Sequence, residues 1–278
     1  MELSLIQSIL FGLVSGVTDI LPVSAEAHKL LLLQLFGVES EPALLRLIIH
    51  LAVLVGLYFG CQNHLQRIFR QYRLRSRTHR RGKKSADIRS QLDLKFVRTA
   101  IIPLIIGLVS FSKVRSLSGS LLWVALFLVV NGIILYLPAV FPAGNKDSRS
   151  MAPLDGISVG AAAAVGILPG VSPVGCVSSM IRLRGGDRLY AVNMALILQM
   201  LFTIGMIVHD VIFIGTYGME AVRGITLVSY LVAAAAAFAG AFLAVRLLRM
   251  LASSADFTWM SFYCWGIGFF SFVIYLMV

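Results

Sequence analysis

The 278-residue chain is 58% apolar and 13% charged, with a mean hydropathy of +0.88. Soluble domains carry about 25% charged residues, so this composition excludes water as the main solvent, and apolar runs able to cross a hydrocarbon core of about 30 Å recur along the chain. The net charge of +11 would suit a nucleic-acid binder, but twelve of the 24 basic residues crowd between Arg67 and Arg98, flanked by apolar runs, which is an orientation signal instead.

Taken in chain order, Met1–Leu10 has no basic n-region and no small-residue cleavage site, so it does not read as a removable signal peptide. Residues 3–36 are apolar but interrupted by Asp19, Pro22, Glu26, His28 and Lys29. Full spans are expected at roughly 43–60, 96–113 and 120–141, with a basic cytoplasmic loop at 61–97 between the first two. That loop serves as a solvated orientation signal, and it also has the charge to engage anionic lipid heads or acidic partners. Residues 155–181 form a second interrupted region, broken at Pro169-Gly170 and Pro173. Three more spans are expected at 189–214, 225–248 and 257–278. Alternation from the basic loop puts 142–154, 182–188 and 246–256 on the same side, which gathers 19 of the 24 basic residues there. Cys61, Cys176 and Cys264 lie in or beside apolar segments without paired spacing, and read as small core residues.

Each half of the two interrupted regions is about 12–18 residues, short for a crossing, and the alternation makes each region enter and leave on one side. The expectation is therefore an all-α polytopic membrane protein of about six transmembrane helices plus two re-entrant helical hairpins. Ile20-Leu21-Pro22-Val23-Ser24 echoes Ile167-Leu168-Pro169-Gly170-Val171-Ser172, and the two hairpins open to opposite sides. That predicts an inverted-topology repeat within one integral membrane domain (1–278), with halves of about 1–141 and 142–278. In such folds the site lies near mid-membrane, where the broken helices of both repeats meet.

The first hairpin holds Asp19, Glu26, His28 and Lys29 within eleven residues. Each would cost roughly 2.5–3.5 kcal/mol at the centre of a lipid-facing helix, so they should face a cavity or one another, unless the hairpin lies at the interface and solvates them. The turn at Pro22 can bring an acid and an imidazole together, as general-base or metal-ligand chemistry requires. In the second hairpin, Gly170 and a helix start offer backbone N–H groups to an anion, and Ser172 can donate to a phosphate oxygen. A Pro/Gly break with a capping serine is equally a purely structural device. His50 reads as a core histidine, Asn131 and Asn193 as inter-helix hydrogen bonders, and His209-Asp210 as interfacial groups near a span end.

Together the two hairpins resemble those of the undecaprenyl pyrophosphate phosphatase, or bacitracin-resistance, family. That family's first motif runs Glu-Gly-(Leu/Val)-Thr-Glu-Phe-Leu-Pro-Val-Ser-Ser-Thr-Gly-His, of which this chain keeps Gly16, Thr18, Leu21, Pro22, Val23, Ser24 and His28. Of its second motif, Pro-Gly-x-Ser-Arg-Ser-Gly-x-Thr, Pro169, Gly170, Ser172 and Gly175 remain. The resemblance implies hydrolysis of the C55 lipid pyrophosphate of cell-wall synthesis, recycling of the carrier, bacitracin resistance and support by a divalent cation (Mg or Ca). On the matching positions it implies Asp19 and His28 as catalytic, Asp19 as metal-holding, and Thr18, Ser24, Gly170 and Ser172 as substrate-binding; Glu26, which the family pattern lacks, is read as a replacement acid for catalysis and metal, and Lys29 as a source of positive charge for the substrate. Expected partners are the undecaprenyl pyrophosphate or phosphate lipid, the inner (plasma) membrane and a second copy of the chain in a homodimer, but no nucleic acid. The departures fall on the chemistry: the family's two glutamates are Ser15 and Asp19 here, its proposed nucleophilic serine is Ala25, and its pyrophosphate-holding arginine is Pro173. The alternative is an impaired relative that binds or translocates polyprenyl phosphate.

Overall fold

The computed structural model describes residues 3–38, 41–78, 88–114, 117, 119–217, 226–254 and 257–277; for 67–78, 88–90 and 254 it gives the backbone course only. Among the described residues there are ten α-helices and no strand. They are α1 (Leu5–Ile20), α2 (Ala25–Phe36), α3 (Ala43–Thr78), α4 (Ile88–Val114), α5 (Leu121–Tyr136), α6 (Pro153–Val165), α7 (Pro173–Leu183), α8 (Arg188–Tyr217), α9 (Leu227–Ser254) and α10 (Thr258–Met277). Six segments are long and apolar enough to cross a membrane: Ala43–Gln66, Gln91–Val114, Leu121–Ala139, Arg188–Tyr217, Leu227–Ser253 and Thr258–Met277. The protein is thus a multi-pass membrane protein, with the six spans where the hydropathy places them. Their outward faces carry side chains such as Ile106, Val109, Leu231 and Phe269, all exposed, as a lipid-facing surface requires.

Both interrupted regions fold as pairs of short helices. At 1.5 Å per residue, α1, α2, α6 and α7 are about 24, 18, 20 and 17 Å long, each less than a hydrocarbon core of about 30 Å. Local chemistry sets their ends. Ser4 caps α1 in a reciprocal box: its Oγ accepts from the Gln7 N–H at 3.3 Å, and Gln7 Oε1 accepts from the Ser4 N–H at 2.8 Å. Proline opens both α6 (Pro153) and α7 (Pro173), where its missing N–H has no intrahelical partner to lose. At the open end of the second pair, Arg184 Nε donates to Asp155 Oδ1 at 2.5 Å, tying the end of α7 to the start of α6.

The basic region is less of a loop than its charge suggests. α3 runs on to Thr78 and α4 starts at Ile88, because Arg, Gln and Leu are good helix formers and no Gly or Pro interrupts 61–78. The rest of the expected cytoplasmic loop, 79–87, lies outside the described residues, as do the side chains of 67–90.

The helix pairs of each half dock on the other half. α1 packs on α9 and α6 on α4, while α3 meets α8 and α9, and α5 meets α10. Pairing each helix with the one five places later exchanges the α1–α9 contact with α6–α4 and leaves α3–α8 and α5–α10 unchanged. Both exchanged contacts use a Gly-x-x-x-Gly spacing. An added Cβ would run into the Ala233 and Ala237 backbone at Gly12 and Gly16, and into Thr99 and the Ala100 backbone at Gly156 and Gly160. Close backbone approach of this kind replaces the hydrophobic drive that lipid cannot supply. A Gly16→Leu variant is therefore expected to lower thermal stability in detergent by the roughly 1–3 kcal/mol or more of an overpacked core. Gly266→Leu, where an added Cβ meets nothing within 4 Å, should melt with the wild type; equal melting of both variants would reject this account of the crossing.

Candidate functional site

The chain breaks at Leu21–Ser24 and Gly166–Ser172 meet inside the protein, and one side chain joins them. Asn131, fully buried on α5, donates from Nδ2 to the Pro22 carbonyl at 3.0 Å and accepts at Oδ1 from the Ser172 N–H at 2.9 Å. A carbonyl only accepts and an N–H only donates, so these two partners fix the orientation of the amide. Ser172 adds two links: its Oγ accepts from Gly175 N–H at 3.2 Å, capping α7, and lies 3.4 Å from the Leu21 carbonyl it donates to. Gly170, at φ +112°, makes the turn before the cap and lies against the α5 backbone at Val124. Ser24, at the matching place in the first hairpin, holds φ +67°, a left-handed value that costs a serine energy and concentrates at functional sites. Its Oγ is buried and has no hydrogen-bond partner among the described residues.

Beside this crossing is a cavity of about 30 Å³, room for roughly two water molecules. Thr18, Asp19, Ala25 and Glu26 line it from the first hairpin, Val171, Ser172 and Pro173 from the second, and His50 from α3; Phe111, Phe202 and Met206 form its apolar wall. Asp19, at the end of α1, lies within electrostatic reach of His50, Lys29 and Glu26. The cavity thus brings together polar groups from the two chain breaks, and the two departures Ala25 and Pro173 both line it.

His50 is held by a group that sequence reasoning set aside. Its Nδ1 donates to Asp210 Oδ2 at 2.7 Å, and Arg46 Nε donates to Asp210 Oδ1 at 2.6 Å. Asp210, expected as an interfacial residue, is fully buried within the protein. A buried carboxylate needs such partners. Arg46 neutralises it and also lies 5.6 Å over the Phe213 ring, while the Nδ1 bond fixes the imidazole tautomer and leaves Nε2 as the basic nitrogen of a ring that lines the cavity. Residues 46 and 50 lie one turn apart on α3, but their partner comes 160 positions later, on α8, so no local pattern announces it.

Other expected site residues lie elsewhere. His28 accepts and donates away from the cavity: Nδ1 donates to the Ser24 carbonyl at 2.7 Å and Nε2 pairs with Tyr263 Oη at 2.7 Å, with the two rings stacked 5.7 Å apart. Both nitrogens are used in joining α2 to α10. Lys29 is buried, ion-paired with Glu26 and 3.8 Å from Glu41, so its charge is spent on carboxylates rather than offered to an anion. Glu41 lies before the first span, and burial pushes its carboxyl above the ordinary range although Lys29 and Arg46 oppose this. Thr18 lines the cavity, but its hydroxyl donates to the Val14 carbonyl at 2.7 Å. As for metal, no group of three or more His, Cys, Asp or Glu side chains converges among the described residues. Asp19 and Glu26 are two carboxylates on one wall, the second ion-paired with Lys29, too few for a closed protein cage; a cation held there would keep waters and share substrate phosphates.

Comparison with known proteins agrees over nearly the whole length. The family profile described as "Bacitracin resistance protein BacA" matches residues 8–270. The chain is 28% identical over 262 residues to the undecaprenyl-diphosphatase of Carboxydothermus hydrogenoformans, covering 94% of each chain. It is 29% identical over 272 residues to that of Methanobrevibacter smithii, covering 96% of each. With the undecaprenyl-diphosphatase of a Jannaschia species it shares 29% over 262 residues, 92% of this chain and 93% of the relative.

Proposed function

The chain belongs to the BacA family of bacitracin resistance proteins, and on that premise we propose that it is a phosphatase of the polyprenyl pyrophosphate lipid carrier, acting on undecaprenyl diphosphate at the cavity between the two hairpins. The observation that carries this reading is the shared cavity: Asp19 and Glu26 of one hairpin face Ser172 and the N-terminus of α7 from the other, with His50 beside them. The α7 N-terminus lies against the cavity and favours the negative charge of a phosphate oxygen through its helix dipole. Asp19 and Glu26 would hold a divalent cation, which when bound neutralises charge on the phosphates.

With alanine at position 25 there is no side-chain hydroxyl at the family's serine position, so water is the attacking group. His50 Nε2 takes the proton of that water, and Asp210 holds the imidazole in place and stabilises the imidazolium that forms. The attacked phosphorus gains the water oxygen, the bridging P–O bond breaks, and the lipid phosphate leaves. Support for placing the hairpins as re-entrant elements, with the basic region on the cytoplasmic side of the inner membrane, comes from their short helices and from the one-sided distribution of Lys and Arg.

A second reading, binding or translocation of polyprenyl phosphate without hydrolysis, is favoured by the replacements at Ala25 and Pro173. Purified protein given undecaprenyl diphosphate with Mg²⁺ or Ca²⁺ separates the two. Metal-dependent phosphate release supports the phosphatase, whereas no release across metals and polyprenyl lengths rejects it. Pro173→Arg, which puts a guanidinium on the cavity wall, is expected to raise kcat/KM by about tenfold or more, since one positioned donor is worth about 10²–10³ at comparable sites. An unchanged kcat/KM would remove the α7 N-terminus from the phosphate-binding role.

A further inference from the structure

A second cavity opens between α3 and α9. It lies about ten residues along α3 from His50, or roughly 15 Å at 1.5 Å per residue. Its volume is about 430 Å³, and Phe59, Gln62 and Asn63 of α3 line it with Phe238, Arg246 and Arg249 of α9. That volume falls within the roughly 300–1,000 Å³ typical of small-ligand sites. Among the described residues no carboxylate lines it, so the lining carries two guanidinium charges without an acidic counterpart.

The two arginines are held differently. Arg249 is locked: Nη1 donates to the Gly60 carbonyl at 2.6 Å, Nε to Asn193 Oδ1 at 3.1 Å and Nη2 to Cys61 Sγ at 3.4 Å. Arg246 is exposed, lies 4.4 Å over the Phe242 ring, and makes no hydrogen bond or ion pair with any other described residue. Its guanidinium therefore lines the groove with donors not spent on other described residues, a planar fork suited to phosphate oxygens. Beneath it is an aromatic floor, with Phe238 edge-on to Phe59 and stacked on Phe242 at 6.2 Å in each case.

Depth and rim identify the occupant. Gly60–Asn63 and Arg246–Arg249 fall near the ends of the spans Ala43–Gln66 and Leu227–Ser253, the level at which headgroups lie. Around the groove Tyr58, Leu243 and Met250 are exposed, so the way in is through hydrocarbon. A cationic cup with an apolar rim at this depth matches a lipid rather than a soluble anion. We propose that this groove binds the phosphate of an anionic phospholipid from the surrounding bilayer, with Arg246 and Arg249 on the phosphate and an acyl chain along Phe59 and Phe238. Basic pockets between membrane helices recognise headgroups in this way.

The test is lipid retention by the full-length protein in detergent, read by native mass spectrometry. Phosphatidylglycerol, phosphatidylcholine and undecaprenyl phosphate are added separately and in equimolar pairs. Phosphatidylglycerol adducts should outnumber phosphatidylcholine adducts by about fivefold, and Arg246→Gln should abolish most of that preference. Arg149→Gln, which takes one charge from an exposed loop, should leave it intact. Equal retention by wild type and Arg246→Gln, or an equal fall in both variants, overturns the proposal. Displacement of phosphatidylglycerol by equimolar undecaprenyl phosphate would assign the groove to the carrier lipid and overturn the phospholipid assignment.

Discussion

Asp19→Asn is expected to reduce phosphate release by about 10³-fold or more while the protein stays folded. Asparagine fills the same space on the cavity wall but carries no charge, so both the cation-holding carboxylate and its field on the neighbouring phosphate are lost; positioned charges of this kind are worth about 10²–10³ each or more in phosphoryl and acyl transfer. His50→Asn belongs in the same experiment, since removing a positioned general base costs about 10²–10⁴. The contrast is His28→Asn. Because both ring nitrogens of His28 are bonded toward Ser24 and Tyr263, its loss should show mainly in thermal stability, with kcat changed far less. Retention of activity by Asp19→Asn would sink the cavity assignment. A His28 variant that matched it in lost kcat, at unchanged stability, would return the acid–base role to the first motif's histidine.

Asn131→Leu is expected to cost the most stability of any single substitution at the site. Leucine leaves the Pro22 carbonyl and the Ser172 N–H buried without partners, and each orphaned group costs about 1–3 kcal/mol. For a chain of this size each kcal/mol moves Tm by roughly 2–4 °C, a shift that thermal unfolding in detergent resolves. Asn131→Asp makes the argument sharper. A carboxylate still accepts from the Ser172 N–H but cannot donate to the Pro22 carbonyl, and it buries a charge, so it too should melt well below the wild type. A leucine variant melting with the wild type would mean that Asn131 does not hold the two breaks together.

What could be read from the sequence is what local composition controls. Apolar length fixes the six spans, one of which carries Pro103 inside α4; Pro22 and Pro169 mark breaks because Gly170, Pro173 and the polar groups Asp19, Ser24 and Ser172 cluster beside them. Asp19 and Glu26 were legible as cavity residues because two acids in an apolar stretch must face something other than lipid. His28 and Lys29, equally conspicuous, turn away. They lie on the same short helix as Glu26, and which of its faces meets the cavity depends on how α2 packs against α5 and α10, not on spacing. The Asp210–His50 pair and the double role of Asn131 were not legible, since each joins positions far apart in the chain. The Gly12/Gly16 and Gly156/Gly160 spacings were visible as letters, but only the backbones that meet them give them meaning.

The crossing of the two halves also constrains how the protein is made. Gly12 and Gly16 seat against Ala233 and Ala237, residues that leave the ribosome 221 positions later. At roughly 5–20 residues per second, the first hairpin waits about 10–45 s for its partner. The carboxylate that pairs its ammonium at position 29 in the fold lies three residues before it, so that partner is present in the hairpin before α9 is made. Biogenesis thus has a nascent-chain stage in which the N-terminal segment can pair its one lysine internally but is undocked, and a chain truncated before α9 would stay there.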